Sequence, residues 1–380
     1  MKKIILFLTA FILTGCTPQR SEASAPGTSS ASIESTQPDS QETGRIPLNY
    51  TSQVGLWMPY THFDEQMCGM NAEEYRAVMS DYLSEASEQG INTVYFHAHP
   101  NGDAYYDSSI FPRGKCMSED VDALAVVTEE AHKLGISVHA WINPLRMQTA
   151  AEMEELPESY VVKQWTEQPE KGYVRLVNDR WYLVPVYPEV RSLISSCAAE
   201  ILEKYDVDGI HIDDYFYPTT DTSFDSEAFA ESGKTDLAQW RRDNVTEMVR
   251  ELCSTVHAYG NRLKFGISPQ GNIASDREKL YADVELWCSD TSYCDYIVPQ
   301  LYFGFRNEAC PFEQTLRDWE ELTSDSPVSL IAGLAEYKLG KTDQWAGEAG
   351  KDEWVTSPDI LERQIELVKS STADGYAFYR

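Results

Sequence analysis

The chain has 380 residues, 61 of them acidic and 31 basic, for a formal net charge of −30. That balance excludes a nucleic-acid partner, since cationic side chains supply most of such affinity, and it excludes charge-driven docking on anionic lipid. A neutral glycan or a cationic ligand remains compatible, and the length suits one large α/β barrel as well as two domains.

Residues 1–15 read MKKIILFLTAFILTG. Lys2 and Lys3 precede an apolar run from Ile4 to Leu13. The run is shorter than the ~20 apolar residues of a spanning helix, so it reads as a signal peptide. It ends in Leu13-Thr14-Gly15-Cys16, which resembles the bacterial lipobox. Cleavage before Cys16, diacylglycerol on its thiol and an extracytoplasmic, membrane-anchored location are therefore expected. Each buried lipid CH2 adds ~0.8 kcal/mol to such anchoring. Residues 16–45 then form the lipidated cysteine and a disordered tether. Thr17 to Gly44 is rich in Ser, Thr, Pro, Ala, Gln and Glu, and it lacks the apolar side chains that offset ordering entropy.

Seven cysteines follow Cys16, an odd number, without CxxC or CxxH spacing, which argues against a structural zinc site. Cys197 and Cys253 lie in helical patterns and read as small core residues. Cys68 with Cys116, or Cys288 with Cys294, are candidate pairs that the sequence does not decide.

From 46 to 380, short β-branched runs alternate with helical patterns. Strands are predicted at 54–58, 93–97, 137–142, 209–213, 264–268, 296–301, 329–334 and 375–379. Helical patterns lie near 71–89, 119–134, 188–205, 235–259, 277–288, 313–323 and 358–370. Strict alternation implies a parallel sheet. Eight strands without a Gly-rich phosphate loop after the first imply a closed (β/α)8 TIM barrel rather than an open doubly wound sheet. Gly90 and Gly135 stand just past helices, where the left-handed conformation ends them. The chain stops at Arg380, so the helix that usually closes the barrel after strand eight is expected to be missing. The first and seventh helices should then flank a gap, unless the segment at 46–50 covers it. The connection from Asn143 to Tyr187 is longer than a connector needs and carries Trp165 and Trp181. It is read as a wall of the substrate site, against the plainer reading of an excursion that only packs on the barrel.

Barrel enzymes carry their chemistry at the C-terminal ends of the strands. There the sequence places Trp57 and Tyr60, His97 and His99, Asn143 and Arg146, then Asp213, Asp214, Tyr215 and Tyr217. Ser268 and Gln270, Gln300 and Tyr302, and Glu336, Tyr337 and Lys338 follow from strands five to seven. Carboxylates, amides and aromatic rings together suit a sugar. In DGIHIDDYFYP (208–218), alternation turns Ile210 and Ile212 outward and His211 and Asp213 inward. Asp213 then closes the strand and Asp214 opens the loop. Adjacent carboxylates can have their pKa values pushed apart, as acid–base work requires. The structural alternative is a rim acid that pairs with Arg146 or Arg241.

VHAWINPLRM (138–147), DGIHIDDYFYP (208–218), WRRDNV (240–245), FGISPQG (265–271), DYIVPQLYF (295–303) and IAGLAEYKLG (331–340) resemble the successive motifs of the glycosyl hydrolase-like 10 family. The resemblance covers about residues 50 to 380. It implies hydrolysis of glycosidic bonds, with bacterial cell-wall glycan as the substrate class. It also implies that Asp213 and Asp214 lie in the site and that Asn143, Arg146, Gln300 and Tyr302 hold substrate. Trp57, His97, Tyr215 and Gln270 are added as substrate contacts from their place at the strand ends.

Hydrolysis needs two carboxylates across the scissile bond. The expected assignment is Asp213 as nucleophile or base, Asp214 as supporting acid or 2-hydroxyl partner, and Glu336 as general acid, with no cofactor and no metal. For Glu336 the alternative is an ion pair with Lys338 or Arg146. Two other readings compete. His97, His99, His139 and His211 all lie on strands, and with Asp213 they would make a zinc set if all point inward. A non-catalytic glycan-binding lipoprotein is the other, but binding alone would not need Asp213 beside Asp214. The sequence leaves linkage, stereochemistry and oligomeric state open.

Overall fold

Eight short apolar segments pair side by side as parallel strands in a computed structural model that describes residues 46–380. The signal sequence, Cys16 and the tether lie outside the described residues. The strands are β1 (Gln53–Met58), β2 (Thr93–His99), β3 (Ser137–Ile142), β4 (Gly209–Ile212), β5 (Lys264–Ile267), β6 (Tyr296–Ile297), β7 (Ser329–Ala335) and β8 (Gly375–Tyr379). They follow one another around a closed barrel. Its seam is the β1–β8 pairing, with Gln53 opposite Gly375 and Leu56 opposite Phe378.

Helices α1 (Ala72–Glu88), α2 (Ala123–Lys133), α3 (Pro188–Lys204), α4 (Leu237–Tyr259), α5 (Phe312–Thr323) and α6 (Ile360–Ser370) supply most of the outer ring. α1 shows how the sequence sets such a helix. Asn71 accepts from the Glu74 amide and donates its own amide to the Glu74 carboxylate, both at 3.1 Å, a capping box. Tyr75, Met79, Leu83 and Ala86 recur at helical spacing and are buried. Gly90 takes φ +83, and the Ile91 amide reaches back to Ala86 O at 3.0 Å, which ends the helix. Gly135 with Ile136 repeats this after α2.

Alternation divides each strand between two cores. Val94, Phe96, Val138, Ala140, Ile210 and Ile212 face the helices. Trp57, Tyr95, Trp141, Tyr296, Val298, Ile331 and Ala377 fill the barrel itself. Rings this large fit because facing positions are glycine: a Cβ on Gly266 would lie 1.9 Å from the Tyr296 ring, and one on Gly55 2.9 Å from Tyr95.

The polar tips of this inner core form a chain of hydrogen bonds along the barrel. Trp57 Nε1 donates to His211 Nε2 at 3.2 Å, and His211 Nδ1 meets the Tyr296 hydroxyl at 3.1 Å. That hydroxyl meets His139 Nδ1 at 2.6 Å, and His139 Nε2 meets Asn49 Oδ1 at 3.0 Å. Asn49 Nδ2 then donates to the carbonyls of Asp208 and Arg262. One tautomer on each histidine satisfies every link in a single direction. Leu48 N also donates to the buried Asp208 carboxylate at 2.7 Å. The segment at 46–50 therefore closes the barrel floor beside β3, β4 and β5, not the interval between the first and seventh helices. Near that interval Arg380 links Glu336 at 2.9 Å and Gln89, just past α1.

Two expected elements come out shorter. β6 stops at Ile297 because Pro299 has no amide to donate, although Gln300 still bridges to Gln270 and Gly333. The helix expected at 277–288 is broken into a π-helical turn at Asp276–Leu280 and a short helix at Val284–Trp287. Between them Tyr281 takes φ +54. It is held there by Arg241 Nη1, which donates to its hydroxyl at 3.0 Å.

The long connection after β3 is a small folded unit. Arg146–Thr149, Val174–Val177 and Arg180–Leu183 form an antiparallel sheet turned by Asn178 and Asp179, both at positive φ. Trp165 is buried against Tyr173, with ring centroids 5.0 Å apart. The tryptophan is part of the packed core that continues from the helix layer of the barrel into the excursion. Cys68 and Cys116 form a disulfide, whereas Cys197, Cys253, Cys288, Cys294 and Cys310 are free and buried.

Candidate active site

β4 delivers the two aspartates in different directions. Asp213 is the inward residue and only 4% exposed. Its Oδ1 accepts the Tyr215 amide at 3.3 Å. Burial, then the neighbouring Asp214 charge, pushes its carboxyl well above the usual range, against Arg146 and Trp141, which favour the charge. Asp214 faces β5 and β6: Gln270 Nε2 donates to its Oδ2 and Gln300 Nε2 to its Oδ1, both at 3.2 Å. Burial raises Asp214 as well, but the two amides and Arg146 oppose the rise. The pair is thus divided. Both carboxyls are pushed upward, Asp213 the further, and Asp214 alone is held by two side-chain amides that favour its charged form.

Arg146 lies 4.5 Å over the Tyr215 ring, and its Nε has no hydrogen-bond partner among the described residues. Tyr215 is 40% exposed and stands at the lip. Tyr302 meets Trp57, Tyr337 and Tyr379 with ring centroids 5.9 to 6.4 Å apart. Asp213, Asp214, Arg146, Tyr215, Gln270, Gln300 and Tyr302 therefore gather at one mouth. Trp57, His97 and Asn143 lie beneath it, buried. Asn143 Oδ1 accepts from Trp141 Nε1 at 3.1 Å and its Nδ2 donates to Pro100 O at 2.9 Å. These three, expected as substrate contacts, form the layer directly beneath the mouth and are as buried as Asp213 itself.

Glu336 is not brought to the aspartates. Ala335 is the last inward residue of β7, so the next side chain turns outward, and Glu336 pairs with Arg380 at 2.9 Å. Neither Lys338 nor Arg146 is its partner: Lys338 binds Asp343 and the Tyr302 carbonyl. Arg241 is likewise not a partner of Asp213 or Asp214. It is fully buried against Asp225 at 2.6 Å and stacks on Tyr217 and Tyr281. Tyr217 donates to the same Asp225 at 2.9 Å, so this cluster fixes the loops after β4 and β5 that frame Asp214.

The histidine set does not converge. A bulge between His97 and His99 turns His99 out of the barrel, where its ring meets Asp103 O at 2.8 Å and Phe111 at 4.2 Å. His97 lies flat on Trp141, 3.5 Å away. His139 and His211 belong to the axial chain. Burial holds His99 and His139 down at about 4 and His97 and His211 well below the usual value. Among the described residues no three His, Cys, Asp or Glu side chains group as metal ligands, so the zinc reading loses its donor set.

Sequence reasoning passed over Trp141 and Tyr379. Both sit at inward positions of their strands, and counting alternate residues on β3 and β8 finds them.

Several known proteins resemble this chain in sequence or in fold. Glycosyl hydrolase DigH of Escherichia coli K12 is 29% identical over 397 aligned residues, covering 96% of this chain and 88% of that protein. Glycosyl hydrolase YngK of Bacillus subtilis is 29% identical over 333, covering 80% of this chain and 63% of that protein. The PgaB (BpsB) glycoside hydrolase domain from Bordetella bronchiseptica superposes with a TM-score of 0.59 at 15% identity, over 87% of this chain and 94% of that one. Alpha-L-fucosidase isoenzyme 2 from Paenibacillus thiaminolyticus gives 0.57 at 14%, over 87% of this chain and 46% of that one. At such identities the two structures speak for the fold. Residues 58–348 match a family model as a continuous stretch, and the protein belongs to the glycosyl hydrolase-like 10 family.

Proposed function

We propose that the protein hydrolyses glycosidic bonds of a bacterial glycan, with cell-wall glycan strands as the substrate class. The observation that carries this reading is the unlike surroundings of Asp213 and Asp214. Asp213, buried beside Trp141, keeps the proton and gives it to the leaving oxygen. Asp214, held by two amides, acts as the charged partner, as base or nucleophile. Asp213 thus takes the general-acid role expected of Glu336, and Asp214 the nucleophile-or-base role expected of Asp213. Arg146, Tyr215 and Tyr302 line the path of the sugar, and an oxocarbenium-like transition state is stabilised by the Asp214 charge.

An extracytoplasmic, lipid-anchored location belongs to the same proposal. It rests on the lipobox at Cys16 and on the Cys68–Cys116 disulfide, a bond that persists in oxidising compartments. Cys16→Ser should release the protein from the membrane fraction or leave it unprocessed, and a variant that stays anchored with a cleaved signal would overturn the lipid anchor.

The deciding experiment is turnover of peptide-free cell-wall glycan strands by purified protein, with Asp213→Asn and Asp214→Asn compared per folded molecule. Acid–base or nucleophilic roles contribute about 10²-fold or more, so each variant should lose at least that. Binding of strands without turnover by the unaltered protein would favour the glycan-binding reading. Near-normal turnover in both variants would remove the mechanism.

A further inference from the structure

Trp345 is 90% exposed, far more than any other large apolar side chain among the described residues. It does not ride on a loose loop. The preceding Asp343 is buried. Asp343 Oδ1 accepts the Trp345 amide at 3.1 Å, and its Oδ2 accepts from Lys338 Nζ at 2.6 Å. The Asp343 amide donates to Lys351 O at 2.8 Å, and the Ala346 amide to Asp343 O at 3.2 Å. Ala346 is buried too, and its carbonyl accepts the Glu308 amide at 3.0 Å. A large apolar ring is thus presented to water from between two buried anchors. Solvation disfavours that arrangement, and the fold holds it in place.

The ring stands on the catalytic side of the barrel. Its loop follows β7, and the Lys338 that grips Asp343 also donates to the Tyr302 carbonyl at 2.7 Å. The platform and the Tyr302 wall of the mouth are therefore tied by one ammonium group. Area selects the occupant. A stable protein interface removes about 800 Å² from each partner, whereas one aromatic side chain offers only about 150–250 Å². Leu339 and Val355 are only partly exposed and do not extend the patch to that size. One flat apolar face of this area matches the face of one pyranose.

We propose that Trp345 is a distal sugar-binding platform, stacking on a ring of the glycan strand beyond the sugars held at the aspartates, so that the protein favours long strands over short ones. This rests on the proposed glycan substrate. The test compares peptide-free cell-wall strands with a tetrasaccharide cut from them, using the unaltered protein, Trp345→Ala and Trp345→Phe. The preference for long strands, read as the ratio of kcat/KM values, should fall by about tenfold in the alanine variant and largely return with phenylalanine. Binding of strands should also quench a tryptophan signal that Trp345→Phe lacks. An equal long-to-short ratio in the unaltered protein and Trp345→Ala overturns the platform while hydrolysis stands. Strand binding that quenches Trp345 without any turnover supports the platform and removes hydrolysis. Absence of both binding and turnover overturns both.

Discussion

Gln300 holds one oxygen of Asp214 through Nε2 at 3.2 Å, and the same nitrogen lies 3.3 Å from the Ser268 carbonyl. The amide thus takes its orientation from β5 and passes it to the carboxylate of β4. A donor to the ionised form favours ionisation. Removing it in Gln300→Leu raises the Asp214 pKa further. Turnover on the acid side requires Asp214 charged, so the acid limb of the pH–rate profile should move to higher pH. At pH 5 the variant should lose about tenfold more activity than at neutral pH, in line with one hydrogen bond to a charged group. The alkaline limb, set by loss of the Asp213 proton, should move less. An unshifted acid limb would show that Asp214 is not the group that must ionise.

Glu336 should be dispensable for chemistry. Its carboxylate and Arg380 are each about a third exposed, and pairs of that kind contribute about 0–1 kcal/mol. Glu336→Gln should therefore keep activity within about twofold, set beside the ~10²-fold loss expected of either aspartate variant, and melt within a few degrees of the unaltered protein. A collapse of turnover in Glu336→Gln, with the fold intact, would return it to the general-acid role.

The barrel was legible because its strands are separate apolar runs and because helices such as α1 carry a side-chain cap and a glycine stop. Asp213 was legible for the same reason: with Ile210 and Ile212 outward, it must face in. Glu336 was misread because no motif marks where β7 ends, and one residue reverses its direction. His99 was misread because a bulge leaves no signature in the sequence. Asn143 and Trp57 stand at the strand ends that the sequence assigns, but their depth was not legible, since depth depends on the stagger of neighbouring strands. Arg241 and Asp225 lie 16 apart in the chain, and only packing shows that one neutralises the other.

Asn49 should matter more than a residue just past a tether suggests. It is the last side chain of the axial chain and the partner of His139 Nε2 at 3.0 Å. A chain beginning at Ile46 retains that contact and should melt like the longer form. Asn49→Ala leaves a buried ring nitrogen and two carbonyls short of partners, at a cost of roughly 1–3 kcal/mol. Thermal melts of the two proteins check this directly. Equal melting of Asn49→Ala and the parent would mean that the floor contact contributes nothing.

Acid should destabilise this barrel before it touches the surface charges. Burial holds His139 and His99 neutral down to about 4, whereas in the unfolded chain histidine takes its proton near ~6.5. The folded state therefore binds fewer protons between those values. Stability is complete above the unfolded pKa and is lost as pH falls from about 6.5 towards 4. One such histidine costs about 2 kcal/mol at pH 5. Asp213 and Asp214, whose pKa values are raised, act in the opposite sense and offset part of the loss at the acid end. His139→Gln removes one titrating ring while keeping an amide that can reach Asn49 and the Tyr296 hydroxyl. At pH 7.5 it should melt below the parent. Between pH 7.5 and pH 5 its melting temperature should fall by less than the parent's. A variant whose melting temperature falls as far as the parent's over that interval would show that His139 takes its proton without destabilising the fold, and the hydrogen-bond chain assigned to it would be wrong.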